Sequence, residues 1–163
     1  MAIIAANLTF YLTGGAGNAL PAASLGGVIS NTAFTNNTLA NLFANVTPAE
    51  ALAGSVKYRA LSFKNLAAET AYAAVIYLSQ ETTSADTTVA IAYDSTGTQS
   101  VVNENTAPSG LSFTTPLSLA AGIALGDVEA SGVRRIWFRR TVSAGAAVAT
   151  DTGKFTVTVG SAP

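Results

Sequence analysis

The sequence predicts an all-β fold: an antiparallel β-sandwich of immunoglobulin-like or jelly-roll type, with an extended N-terminal segment and one short helix. Three observations carry that prediction. Short apolar segments alternate with period two, as strands with one buried face require. Clusters of Gly, Ser, Asn and Asp punctuate them at turn positions. Only one stretch carries both a helix start and a helix stop. A length of 163 residues suits a single domain with a proper core.

Residues 1–54 read as an N-terminal strand followed by an extended arm. Within it, Asn31–Asn45 is rich in Asn and Thr and reads mostly as loop, although Leu39, Leu42, Phe43 and Val46 need an apolar surface to pack on. Arms of such composition gain order by lying on a neighbour; a set of ordinary long loops fits the same composition equally well. Gly14-Gly15-Ala16-Gly17 has the glycine density of a phosphate cradle but lacks the following Lys-Ser/Thr and long helix, so it reads as a loop. Thr47-Pro48-Ala49-Glu50 is a capping box, with Thr47 at the N-cap, Pro48 at the first helical position and Glu50 reaching back. Gly54 stops the helix, which therefore occupies about residues 48–53.

Residues 55–163 form the predicted sandwich. In Val56–Asn65, Leu61 and Phe63 share one face with Lys57 and Arg59, while Tyr58, Ala60 and Ser62 share the other. Tyr72–Ser79 is apolar on both faces, as a central strand should be. Thr87–Tyr93 aligns Val89, Ile91 and Tyr93. Val133–Val142 is the longest candidate strand, and Phe155, Val157 and Val159 alternate with Lys154, Thr156 and Thr158 near the end. Turns are expected at Ala67–Thr70, Asp94–Gly97 and Ala130–Gly132. The chain shows no internal repeat.

Composition narrows the function classes. The chain has no His, no Cys and only 10% charged residues, against about 25% in an ordinary soluble domain. Ser and Thr are abundant, but no His is present to act as a base, and none of the three lysines (Lys57, Lys64, Lys154) sits in a nucleophile motif such as S-x-x-K. No catalytic residue, cofactor site or small-molecule substrate is therefore assigned, and the chain reads as non-enzymatic. Asp127 and Glu129 share a strand face but lack further acids nearby, short of the six to eight oxygens that calcium takes, so no metal site is assigned either. Asp86 and Asp94 flank a strand and read as turn residues. A net charge of −1 argues against nucleic acid as a partner. The stretch around Leu117–Leu125 is too short and interrupted to span a bilayer, and Met1–Ala6 lacks the basic start of a secretory signal. Sequons at Asn7, Asn36 and Asn45 are what chance gives in so Asn- and Thr-rich a chain.

The basic residues concentrate in one place. Four of the eight lie in Arg134-Arg135-Ile136-Trp137-Phe138-Arg139-Arg140. In a strand, Ile136 and Phe138 point to one face with Arg134 and Arg140 at its ends, while Arg135, Trp137 and Arg139 point to the other. The first face suits a core. The second shows a Trp bracketed by two guanidinium groups, the residue types most enriched at interface hot spots. Arg134, Arg135, Trp137, Arg139 and Arg140 are thus the candidate contact residues. Trp137→Ala is expected on this reading to cost assembly far more than folding; the other reading of the same pattern is that Trp137 is core and the arginines decorate its rim.

Several segments in order resemble a family of small virion proteins of tailed bacteriophages. They run from Tyr11–Gly15, Ser24–Ser30, Asn41–Phe43, Tyr58-Arg59 and Lys64-Asn65 through Ser84–Thr88, Asn103–Pro108 and Leu125–Asp127 to Ile136–Val142. The resemblance spans nearly the whole chain. It implies a virion location and, most simply, a capsid decoration or cement protein that binds the outer shell, with the major capsid protein and copies of itself (a dimer or trimer) as partners. The alternatives it leaves are a neck, tail or baseplate component. The second half also resembles immunoglobulin-like sandwich modules in general, and sandwiches often serve as host- or carbohydrate-binding modules; exposed aromatics would then be required.

Overall fold

Alternation of apolar and polar residues resolves into two facing antiparallel sheets. The computed structural model describes residues 3–36, 38, 40–147 and 151–160. Within these lie strands β1 (Leu8–Thr13), β2 (Ile29–Ala33), β3 (Ser55–Asn65), β4 (Ala71–Gln80), β5 (Thr87–Asp94), β6 (Ile123–Val128), β7 (Val133–Val142) and β8 (Lys154–Gly160), and one α-helix, α1 (Pro48–Ala53). The larger sheet has the order β2-β1-β3-β7-β5 and the smaller β6-β4-β8. The all-β sandwich expected from the sequence is the fold.

The facing residues are those the alternation selects. Leu12, Leu61, Phe63, Ile91, Ile136 and Phe138 from the larger sheet meet Ile76, Leu78, Leu125 and Val128 from the smaller, and all are buried. Each such side chain contributes roughly 1.5–3 kcal/mol through burial. Phe155 wedges between the sheets, with its ring 4.7 Å from that of Phe138 and 5.0 Å from that of Phe10. Helix α1 starts as its capping box dictates. The Glu50 N–H donates to Thr47 Oγ1 at 3.2 Å and the Thr47 N–H donates to Glu50 Oε2 at 2.8 Å. It ends at Gly54, which has φ +77°.

Three features depart from the sequence reading. Residues 1–54 are not set apart as an arm beside a sandwich of 55–163. β1 pairs with β3 in the register Leu8↔Asn65 to Tyr11↔Ser62, and β2 pairs with β1, so this segment supplies two of the five strands of the larger sheet. Leu42 and Phe43 pack against the main core; Leu39 lies outside the described residues. Strand β2 falls partly in the stretch read as loop, because its short run offers little alternation. Strand β6 was not picked out from the sequence, because Gly126 and Asp127 interrupt its alternation. Gly126 (φ +73°) instead lies opposite an irregularity in β4, where Ala73 takes φ +46° and its N–H donates to Asp127 Oδ1 at 2.9 Å.

The third departure positions the candidate site. The connection from β5 to β6, residues 95–122, lies across the outer face of the larger sheet. Its Val101, Leu111 and Phe113 pack on Tyr58, Ala60, Ala92 and Trp137 as a second apolar cluster. Backbone bonds hold it there: Tyr58 N–H to the Glu104 carbonyl at 2.7 Å, Val101 N–H to the Leu25 carbonyl at 3.0 Å, and a reciprocal pair between Ile91 and Thr114 at 2.8 and 2.9 Å. The larger sheet is therefore buried on both faces over its centre.

Candidate contact site on strand β7

β7 lies between β3 and β5, and its register builds three rows on the outer face. Ser62, Arg135 and Asp94 form one, Ala60, Trp137 and Ala92 the next, and Tyr58, Arg139 and Ala90 the third. The two small alanines beside Trp137 leave a slot that the indole occupies. The segment 24–27 closes that slot from above. It is anchored by a buried hydroxyl pair, in which the Thr13 N–H donates to Ser24 Oγ at 2.8 Å, Ser24 Oγ donates to the Ala60 carbonyl at 2.5 Å, and the Gly26 N–H donates to Thr13 Oγ1 at 2.9 Å. Trp137 is 0% exposed.

Arg135 extends the same closure. Its Nε donates to Ser62 Oγ at 3.1 Å and its Nη2 to the Gly27 carbonyl at 2.6 Å. The Gly27 N–H in turn donates to the Gln99 carbonyl at 3.0 Å, and the Gln99 N–H to Asp94 Oδ2 at 2.9 Å. A ring of bonds thus ties β7 to two loops. Burial lowers the affinity of the Arg135 guanidinium for its proton, and the charge of Asp94 partly offsets this. For Asp94, burial raises the carboxyl pKa, but bonds from Thr96, Gln99 and Gly97 outweigh it and hold the group below its ordinary value. Asp94 also borders an open cleft of about 500 Å³ that includes Ser95, Thr96, Gly126 and Arg134. With four donors already on its oxygens, Asp94 is a turn residue there, as its place at a strand end predicts.

The remaining arginines are also engaged. Arg139 lies over the ring of Phe113 at 5.3 Å, and that ring meets Tyr58 edge-on at 5.5 Å. Arg134 links the two sheets: Nε donates to the Leu125 carbonyl at 3.2 Å, Nη2 to the Asp127 carbonyl, and Nη2 pairs with Glu129 Oε2 at 3.2 Å. Arg140 donates from Nη1 to the Ala44 carbonyl at 2.6 Å and lies 5.1 Å over Phe43, which also carries Arg59 at 5.7 Å. Beside them Lys57 pairs with Glu50 and with Glu104 at 2.8 Å, and Glu104 pairs with Arg59. The Lys57 ammonium, together with the bond from Thr47, holds Glu50 at about 2. Burial raises Glu104, but its bonds to Lys57 and Arg59 bring it below the usual carboxylate range. The sequence marked Phe43 as an apolar anchor and Glu50 as a capping residue, but not as partners of these cations, and it did not single out Glu104; the signal for all three was only that buried arginines require partners.

In the structure Trp137 is core, as the second reading of this strand had it, and not an exposed Trp between two guanidinium groups. Sequence reasoning placed Arg135, Trp137 and Arg139 on one side of β7 and Arg134 and Arg140 on the other, which is where they lie. Their surroundings differ. Trp137 is buried, Arg135 and Arg140 are 5% and 7% exposed, and Arg134 and Arg139 are half-buried. These residues hold the chain's own loops and sheets together.

Charge is sparse at the surface. Of eight basic and nine acidic residues, Arg59, Arg135, Arg140 and Asp94 are buried, Lys154, Asp127 and Glu129 are exposed, and the others are half-buried. Among the described residues no group of three His, Cys, Asp or Glu is placed to hold a metal ion, and no helix is long and apolar enough to cross a membrane. Comparison with protein-family models, curated proteins and solved structures finds no match.

Proposed function

We propose that the chain is a non-enzymatic structural subunit of a phage virion, a capsid decoration or cement protein that binds the outer surface of the shell. The observation that carries this reading is the near-neutral exterior. With its arginines turned inward, the chain presents Thr, Ser, Asn, Ala and Gly to its surroundings. Such a surface lies against another protein without stripping water from charges, and charged residues are depleted in the cores of protein interfaces. Many modest contacts repeated over a lattice sum to firm attachment. The phage-like segments supply the setting, with the major capsid protein and copies of the chain itself as neighbours. A carbohydrate-binding role has less support, because its best platform, Trp137, is covered.

Quantitative mass spectrometry of purified particles tests the proposal. The expected result is a copy number comparable to that of the major capsid protein. A number matching the symmetry of a tail or neck ring would move the chain to that location, and absence from particles would overturn a virion role.

A further inference from the structure

The sheet edges of this protein are not treated alike. Along β5, Thr114 pairs with Ile91 through both backbone bonds. Along β6, Arg134 takes the carbonyls of Leu125 and Asp127, and Asn65 Nδ2 donates to the Val128 carbonyl at 2.9 Å. β2 is cut to five residues. Covering and shortening are the usual protections of an edge strand. β8 has neither. Among the described residues only β4 bonds to its backbone. It contains no proline, and its one charge, Lys154, sits at its end. Both irregularities of the β4–β8 pair place the extra residue in β4, so β8 itself is regular. Its inward residues Phe155, Val157 and Val159 pack on the core yet stay half-buried.

The strand is also complementary to itself. Turned about Val157, an antiparallel copy places Val157 opposite Val157, Thr156 opposite Thr158, Phe155 opposite Val159, and Lys154 opposite Gly160. Apolar residues meet apolar residues on the inner side, hydroxyls meet hydroxyls on the outer, and no like charges face each other. We propose that β8 pairs in this register with the β8 of a second copy, joining two three-stranded sheets into one six-stranded sheet about a two-fold axis. The inference deepens the contact-subunit reading and rests on it for its purpose. Its test uses the isolated chain, so failure here and absence from particles are separate results.

Sedimentation equilibrium of two double variants tests the register. Thr156→Lys with Thr158→Lys sets like charges opposite each other twice. Thr156→Lys with Thr158→Glu sets opposite charges in the same places. The wild type is expected to dimerise, the first variant to weaken the dimer by roughly tenfold or more, and the second to restore it. A wild type that stays monomeric up to high concentration, or two variants that dissociate alike, would overturn the proposal. A second measurement covers loss of folding in either variant. The chain has no cysteine, and Val157→Cys brings two thiols together on the axis, so mild oxidation should give a covalent dimer in high yield. Thr152→Cys, exposed and outside the strand, should not; equal cross-linking from both positions would also reject the register.

Discussion

Trp137→Ala is expected to lower folding stability by about 3–5 kcal/mol, the usual cost of emptying a large buried aromatic site. The sequence alone left two readings of Trp137 open: a contact residue whose loss would spare the fold, and a core residue whose loss would not. The structure selects the second, because Trp137 is 0% exposed and packs with Tyr58, Ala60, Ala92, Val101, Leu111 and Phe113. The neighbouring alanines have no longer side chains with which to fill the gap. Residues 95–122 should lose protection first, since their apolar anchors rest on the indole. Trp137→Phe should cost clearly less, because the indole Nε1 is buried without an acceptor and its loss leaves no partner unpaired. Urea unfolding of both variants checks the order. An Ala variant as stable as wild type would mean that the outer cluster does not hold the fold.

Gly26→Ala is expected to be comparably damaging from the opposite cause. A Cβ at Gly26 would lie 2.1 Å from the Gln99 carbonyl oxygen, 2.7 Å from Trp137 Cζ2 and 2.9 Å from Ser100 Cα, at φ +88°. Two of those three atoms are backbone, so no rotamer change relieves the clash. The Gly26–Ser100 bridge must open or the 24–27 segment must lift off the indole. A loss of about 3 kcal/mol or more follows. Gly27→Ala provides the comparison. Its Cβ would come no closer than 3.9 Å to Ser100 Cβ, leaving only the strain of φ +73°, which costs about 1–2 kcal/mol. Equal denaturation midpoints for the two variants would show that the close approach over Trp137 is not maintained in solution.

Much of the framework was legible in the sequence, for a local reason. β3, β4, β5, β7 and β8 each carry enough alternation to reveal their direction and faces, and the split of β3 into Leu61/Phe63 and Tyr58/Ala60/Ser62 matches the two apolar clusters. Helix α1 was legible because a capping box and a glycine stop act within a single turn. What was not legible depends on distant partners. Whether the Trp137 side of β7 faces water or protein depends on a 28-residue connection whose anchors, Val101, Leu111 and Phe113, follow no period. The arginines illustrate the same limit. Alternation gives the side on which Arg135 lies, but not that the Gly27 carbonyl waits for it from the far end of the chain. Thr- and Asn-rich composition made residues 1–54 look like an arm, whereas backbone pairing of β1 with β3 asks nothing of side-chain hydrophobicity at every position.

The central claim is that the Arg- and Trp-rich face of β7 is used inside the molecule. Trp137 is the only tryptophan in the chain, so its fluorescence reads the claim without any substitution. In the isolated native protein the emission should be shifted well to the blue of free tryptophan and resist quenching by acrylamide and iodide, with both properties lost on unfolding in urea. A native emission at the wavelength of exposed indole, freely quenched by iodide, would place Trp137 on the surface and contradict the account.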